Sequence, residues 1–479
     1  MNTNLNTMKF NFYILITVFF ILSGFKSYSQ ITVNNLSELV SYLDDDNVDV
    51  KMVPGVYTIT AEDVEKGLYK QETTIKNTSK VLLLFKGNNS TYDFSGVTIK
   101  IDTKVLQAFG NFQVYELQIV GNHNVLKNLT MLDDGSVHDA PTRRACNIVM
   151  DGSYNKIEGF KVTTKGSFPY GFGDAFGKGG RSVIKHQKHS ACLIRGESNH
   201  LKNSSFIHRS YGHCIFMQAA NNALIEGCVV EGEVRKTDAM LAETSGPAFD
   251  VGFKTVWGYK LPKGYMLSTG EAGIRAYDGG NTVIDGKFYK RGTSNPTVLN
   301  CTVKYMRTGV TIAHATGKKY VEGCKAIGCE NAFSLGSGEV VNCSADCSYG
   351  PVYSSTYKRD VKYNAEITII PASNPYYNGS GSVAYIGGSG HKIVLKGGEE
   401  PVKKGLAIKV GGDKKNIRLL NGNFPRQNNF KGWDFELVNY TNFPIELSDK
   451  SSGVTVKSVG KVSDSGSNNN VSELKLKRN

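Results

Sequence analysis

Proline is scarce in this chain, at 12 residues of 479. Set against 52 glycines, that scarcity excludes a proline-rich disordered chain and suits tight turns between short strands. No stretch sustains a helical period, which excludes a helical bundle. Long hydrophobic runs are also missing. The one apolar run, Phe12 to Leu22, is too short to cross a bilayer. It follows Lys9 and precedes the small residues Ser27 and Ser29, so residues 1–29 are expected to be a signal peptide of a secreted or periplasmic protein with no other membrane segment. Acidic residues fall short as well, 43 against 56 Lys and Arg, for a net charge of +13. The basic residues are scattered and no nucleic-acid module is present, so the charge points to an acidic glycan, met by a monomer, rather than to nucleic acid.

What is present is a repeated phrase. A polar residue, a spacer, an aliphatic, a spacer and then Asn or Gly recur around Leu126, Ile157, Leu201, Ile225, Val298, Val321 and Val340. Three residues after each aliphatic stand Leu129, Phe160, Ser204, Cys228, Cys301, Cys324 and Cys343. A short strand with a fixed turn, recurring at this pitch, marks a solenoid whose coils stack as rungs. The stacked cysteines behave as small buried hydrophobes rather than as a disulfide framework. Cys146, Cys192 and Cys214 are expected to form a second ladder, with Val310 filling the same slot.

Asn35 to Leu43 reads as a short amphipathic helix covering the open end of the stack. Strands around Val53-Pro54-Gly55-Val56-Tyr57 follow. At this point the chain resembles the pectin-lyase-like superfamily, including secreted polysaccharide-degrading enzymes of marine bacteria. The resemblance implies an all-β, right-handed parallel β-helix over residues 30–462, with loop insertions near 164–181 and 232–270. The remaining residues, 463–479, are expected to form a flexible basic tail. That fold hosts many activities, so the chemistry has to come from the site.

Five of the nine histidines crowd between positions 186 and 213. With Cys192 and Cys214 taken as equivalent, His186 stacks on His208, and His189 on Tyr211, about 4.8 Å apart on adjacent coils. Glu271, three residues before Ile274, joins the His189 column. A glycoside hydrolase needs paired carboxyls. Glu271 and Glu231 are the expected pair, with Asp238 and Asp250 as substitutes and His189 orienting the acid. Arg195, Arg209 and Arg275 suit sulfate or carboxylate groups, while Tyr277 lies beside Arg275, and Trp257, Tyr170 and Tyr259 offer sugar-stacking faces. The alternative chemistry is β-elimination on a uronic acid, with Lys188, His189, His208, Arg209 and Tyr211 supplying base and cation. Lys188 followed by Ser190 is similar to the lysine motif of chondroitinase B and its alginate-lyase relatives, although Met217 stands where they carry arginine. A third reading is a non-catalytic glycan-binding solenoid. No cofactor is expected. Calcium at Asp133, Asp134 and Asp139 is the one metal considered, without a recognised loop spacing.

Overall fold

A computed structural model describes residues 29–72, 79–135, 144–178, 181–356, 361–372, 374, 381–397, 405–420 and 429–475. Residues 1–28 of the expected signal peptide lie outside these, as does Asp139. No helix among the described residues is long and apolar enough to cross a membrane.

The Asn or Gly ending each phrase is required by backbone geometry. Asn128, Gly159, Asn203, Gly227, Asn300, Gly323 and Asn342 all adopt positive φ, between 47° and 71°. Glycine enters that region freely, and asparagine more readily than other side chains. The two types also fit one another: a Cβ on Gly159 would meet Asn128 Oδ1 at 2.6 Å, so the glycine makes room for the amide of the coil beneath. The turn separates two strands of each coil. Val125–Lys127, Lys156–Glu158, His200–Lys202, Leu224–Glu226, Thr297–Leu299 and Tyr320–Glu322 pair successively in parallel, placing their central aliphatics in one column. Those aliphatics are fully buried, each contributing about 1.5–3 kcal/mol. An amide ladder reinforces the corner, where Asn155 Oδ1 accepts the Asn124 N–H and Asn199 Oδ1 accepts the Asn155 N–H.

These strands and their successors form a 23-stranded sheet, and a third strand from each coil builds a parallel sheet of 14 strands, of which only the first pairing is antiparallel. One continuous core fills the space between. The chain is therefore a parallel β-helix, as its repeats predict. At its start a five-residue helix, Leu36–Val40, is N-capped by Asn35 and buries Leu36 and Leu39.

Three expectations need correction. Cys192 pairs with Ile215 and Ile194 with Met217, so the second ladder is off by one. The inward column runs Ile148, Cys192, Ile215, Ile274, Val310 and Phe333. Cys146 instead joins a small outer cluster with Tyr115, Val149 and Leu193. All nine cysteines are buried free thiols, which suits a hydrophobic role. Finally, the expected flexible tail carries two further strands, Val462–Asp464 and Asn470–Glu473, which extend both sheets.

The two insertions leave the same corner of the helix and fold against each other. Phe172, Ala175 and Phe176 from the first pack with Met240, Phe253, Trp257, Leu261 and Leu267 from the second, and Ile417 completes this separate core. A cap is thereby built over one end of the strands of the 14-stranded sheet.

Candidate active site

Under this cap the corner residues of successive coils converge. Glu271 immediately precedes the strand Ala272–Ala276, and Arg307 immediately precedes Thr308–Thr311. Ala272 pairs with Thr308, so the two side chains emerge side by side. Lys188 Nζ lies 2.8 Å from Glu271 Oε2, and Arg307 Nη2 lies 3.4 Å from Oε1. Arg307 Nη1 turns to Asp174 of the first insertion at 3.0 Å. Asp174 in turn accepts Arg418 at 2.8 Å, and Arg418 also binds Glu330. A chain of alternating charge, Lys188–Glu271–Arg307–Asp174–Arg418–Glu330, thus ties six separate segments together.

Burial opposes ionisation of Glu271. The neighbouring Lys188 and Arg307 cations outweigh it and hold the carboxyl well below the usual carboxylate range. His213 behaves in the opposite sense, since burial pushes it well below the ordinary imidazole value. Its Nδ1 accepts the Ala272 N–H at 3.1 Å, which leaves the proton on Nε2. That Nε2–H is directed at the Tyr277 hydroxyl, 2.5 Å away. Tyr277 therefore receives a hydrogen bond and keeps its own proton to donate. The Arg275 guanidinium lies over the Tyr277 ring at 4.5 Å.

Beside this network a cleft of about 200 Å³ is lined by Tyr265, Arg275, Arg307, His314, Glu330 and Lys414, among others. Its floor is the 14-stranded sheet, where Arg275 pairs with Thr311. Two residues further on, Tyr277 and the Ala313–His314 segment follow on neighbouring coils. His314 Nδ1 faces Asp278 Oδ2 at 3.6 Å. No described carboxylate lies within ion-pair distance of Arg275, and its Nε has no hydrogen-bond partner.

Glu271, Lys188, Arg275 and Tyr277 are the sequence candidates that the structure brings together. Tyr211 is also adjacent, its hydroxyl 3.5 Å from Glu271 Oε1, but it is fully buried. It donates to the Gly177 carbonyl and stacks against His186 with centroids 3.8 Å apart.

Other candidates lie apart. His189 faces Glu116 and Asp133 rather than Glu271. His208 sits on the other sheet, paired with Thr164, and is buried against the Gly212 carbonyl. The expected His186–His208 stack is therefore absent, because His208 ends a strand of the 23-stranded sheet while His186 precedes a strand of the 14-stranded one. Glu231 also belongs to the 23-stranded sheet, where it binds Arg209 at 3.1 Å and Lys304 at 3.8 Å. Arg195 is committed to Tyr115 and Asp151. Trp257 is a core residue of the cap, 5% exposed, with Arg418 over its ring, so no sugar can stack on it. Tyr170 donates to Glu233, and Tyr259 to the Ile417 carbonyl. Asp238 accepts the Gly264 N–H within the cap, and Asp250 ends a short cap helix, Pro247–Asp250. Asp133 is buried whereas Asp134 is exposed beside Lys100, and Asp139, the third residue of the calcium candidate, lies outside the described residues.

Six site residues escaped the sequence reading: Arg307, Glu330, Asp174 and Arg418 of the charge network, and His314 and Asp278 at the cleft. Arg307 and Glu330 stand three residues before Val310 and Phe333, the offset that relates Glu271 to Ile274, so a signal existed for both. Asp174 and Arg418 meet across 244 residues through loops, and nothing local marks them.

No family model matches the chain, and no curated protein matches it. Solved structures do. A mannuronic acid specific polysaccharide family 6 lyase from human gut microbiota is 13% identical, with 88% of this chain and 83% of that one covered and a TM-score of 0.39. The A-module of a mannuronan C-5 epimerase from Azotobacter vinelandii is 11% identical over 89% and 91%, with a TM-score of 0.36. The catalytic domain of a GH87 alpha-1,3-glucanase is 11% identical over 94% and 68%, with a TM-score of 0.35. The activity has to be read from this chain's own residues.

Proposed function

We propose that this protein is an exported carbohydrate-active enzyme that cleaves an anionic, uronate-containing polysaccharide by β-elimination, working as a monomer. The observation that carries this reading is Arg275. It is a half-buried guanidinium on the cleft floor whose charge no described carboxylate balances, beside a Tyr277 hydroxyl poised to donate. A planar guanidinium matches a uronate carboxylate, and neutralising that carboxylate is what acidifies the adjacent C5 proton.

The remaining roles follow from the tautomers and partners described above. His314, oriented by Asp278, is the base that takes the C5 proton. As the C4–C5 double bond forms and the C4–O4 bond breaks, Tyr277 passes its phenolic proton to O4. The His213 Nε2–H and Arg275 then stabilise the phenolate left behind. Paired-carboxylate hydrolysis is the weaker reading for this site. It needs one carboxyl kept protonated to serve the leaving oxygen, and Glu271 is held in the opposite state. Glu271 serves instead to position Lys188 and Arg307.

The test is to digest a panel of uronate-containing and sulfated polysaccharides while following both the ultraviolet absorbance of unsaturated ends and total reducing ends. Both signals should rise on a uronate glycan, and Tyr277→Phe should reduce the rate by about 10²–10⁴-fold. Reducing ends alone would overturn elimination in favour of hydrolysis. Neither signal on any glycan, with binding retained, would leave a glycan-binding solenoid.

A further inference from the structure

A second constellation lies inside the solenoid, away from the cleft. Glu116, Asp133 and His189 come from three different strands, and each is at most 1% exposed. One ligand atom from each lies within 4.8 Å of the other two. We propose that they bind a divalent first-row transition ion, zinc being the best match, as a structural metal centre set during folding.

Charge is the first argument. Two carboxylates are buried together, and among the described residues no Lys or Arg side chain lies within ion-pair distance of either. Their polar neighbours are neutral: Asn147 Nδ2 donates to Glu116 Oε2 at 2.6 Å and to Asp133 Oδ1 at 3.0 Å, and the Lys165 N–H donates to Asp133 Oδ2 at 2.6 Å. Paired anions in a low-dielectric interior need a compensating cation or a proton.

Histidine chemistry supplies the second argument. His189 Nδ1 abuts the Lys165 carbonyl, which can only accept, so the proton sits on Nδ1. The Nε2 lone pair is left bare, and that atom is buried with no hydrogen-bond partner. It faces Glu116 Oε1 at 3.5 Å. Two ligand atoms each about 2.0–2.2 Å from a tetrahedral ion stand roughly 3.4 Å apart. The separation is thus what a shared ion requires. A ligating histidine whose other N–H is held by a backbone carbonyl is the usual outer-shell arrangement. The nitrogen donor also selects against calcium and magnesium, which prefer oxygen throughout.

The experiment uses the full exported chain without an affinity tag of histidines, purified without chelator and also refolded with zinc as the probe. Elemental analysis should find about one zinc per chain. X-ray absorption should show one imidazole nitrogen among oxygen ligands, and removal with a strong chelator should lower the melting temperature. Glu116→Gln keeps the side-chain shape and should lose both the zinc and the chelator sensitivity. Should that variant fail to fold, the wild-type measurements decide alone. Less than about a tenth of an equivalent after refolding with zinc, or a melting temperature indifferent to the chelator, overturns the proposal.

Discussion

Lys188 and Glu271 are 83 residues apart in the chain, yet Lys188 Nζ sits 2.8 Å from Glu271 Oε2 at the corner where two coils turn under the cap. Glu271 also faces Arg307, so removing it strands Lys188 in a poorly hydrated place and leaves Arg307 with Asp174 alone. Truncating one member of such a buried pair costs about 3–5 kcal/mol, so Glu271→Ala should lower the urea midpoint accordingly, and Glu271→Gln by less. Activity should fall with both, because Arg307 loses its orientation. The carboxyl is held well below its usual range, and its contribution is therefore complete above the unfolded value of about 4.3. It is lost as pH falls below that point through the depressed folded value. Denaturation midpoints of wild type and Glu271→Gln should consequently converge in acid; a constant gap down to strongly acid pH would show that Glu271 is not ionised at neutrality.

The architecture was legible because coil stacking leaves a local mark. Each rung needs an aliphatic such as Ile157 and a left-handed turn such as Gly159, and both are fixed by residue type. The site was legible only in part. Glu271, Lys188, Arg275 and Tyr277 stand near recognisable strands, but their partners depend on register. Register failed where Cys192 and Cys214 looked equivalent, since both are buried and both core-facing. His189 lies in register with Glu271 but turns its ring to Glu116 and Asp133, and His208 ends a strand of the other sheet, so side-chain direction and sheet membership separated them. Asp174 and Arg418 were illegible for another reason: each is placed by loops folded over the stack, and loop packing carries no period. Trp257 misled because an aromatic in a long insertion serves a cap core as readily as a sugar.

Histidine burial gives the folded protein an acid limit well above that of its carboxylates. Burial depresses His208 to about 3, His186 and His391 to about 4, and His213 well below its ordinary value. All four are neutral when folded, whereas in the unfolded chain they take up protons below about 6.5. Their stabilisation is therefore complete above that pH and declines as pH falls towards the folded values. Each histidine should contribute roughly 1.4 kcal/mol per pH unit in that range. Urea denaturation from pH 7 down to about 5 should show a stability slope approaching four protons or more, and His391→Gln, remote from the cleft, should remove one of them.

Arg275 separates substrate binding from the rest of the network because it belongs to no described ion pair. Arg275→Ala should raise KM roughly 30-fold, equivalent to about 2 kcal/mol, while shifting the melting temperature little. Arg275→Lys should recover only part of this, as a point charge replaces a planar fork. The wild-type preference for anionic glycan should weaken as salt is raised, and the variant should lose much of that salt dependence. An unchanged KM across the salt series would place the glycan carboxylate elsewhere.

Trp257 tests the cap directly. Its indole packs among Phe172, Phe176, Phe253 and Leu267, and Arg418 lies over its ring at 5.6 Å before reaching Asp174 and Glu330. Trp257→Ala should cost the cap about 3–5 kcal/mol and loosen Arg418. The stacked coils have their own continuous core and need not unfold with it. Two transitions, the cap first and the solenoid later, are expected where the wild type shows less separation. The chain has only two tryptophans, and Trp433 is 36% exposed, so a Trp433→Phe background isolates the Trp257 signal. Its fluorescence should be that of an apolar, shielded indole, unquenched by iodide until the first transition. Immediate quenching in the native protein, or a polysaccharide-dependent shift in that emission, would return Trp257 to the sugar-binding surface and dismantle the cap as drawn.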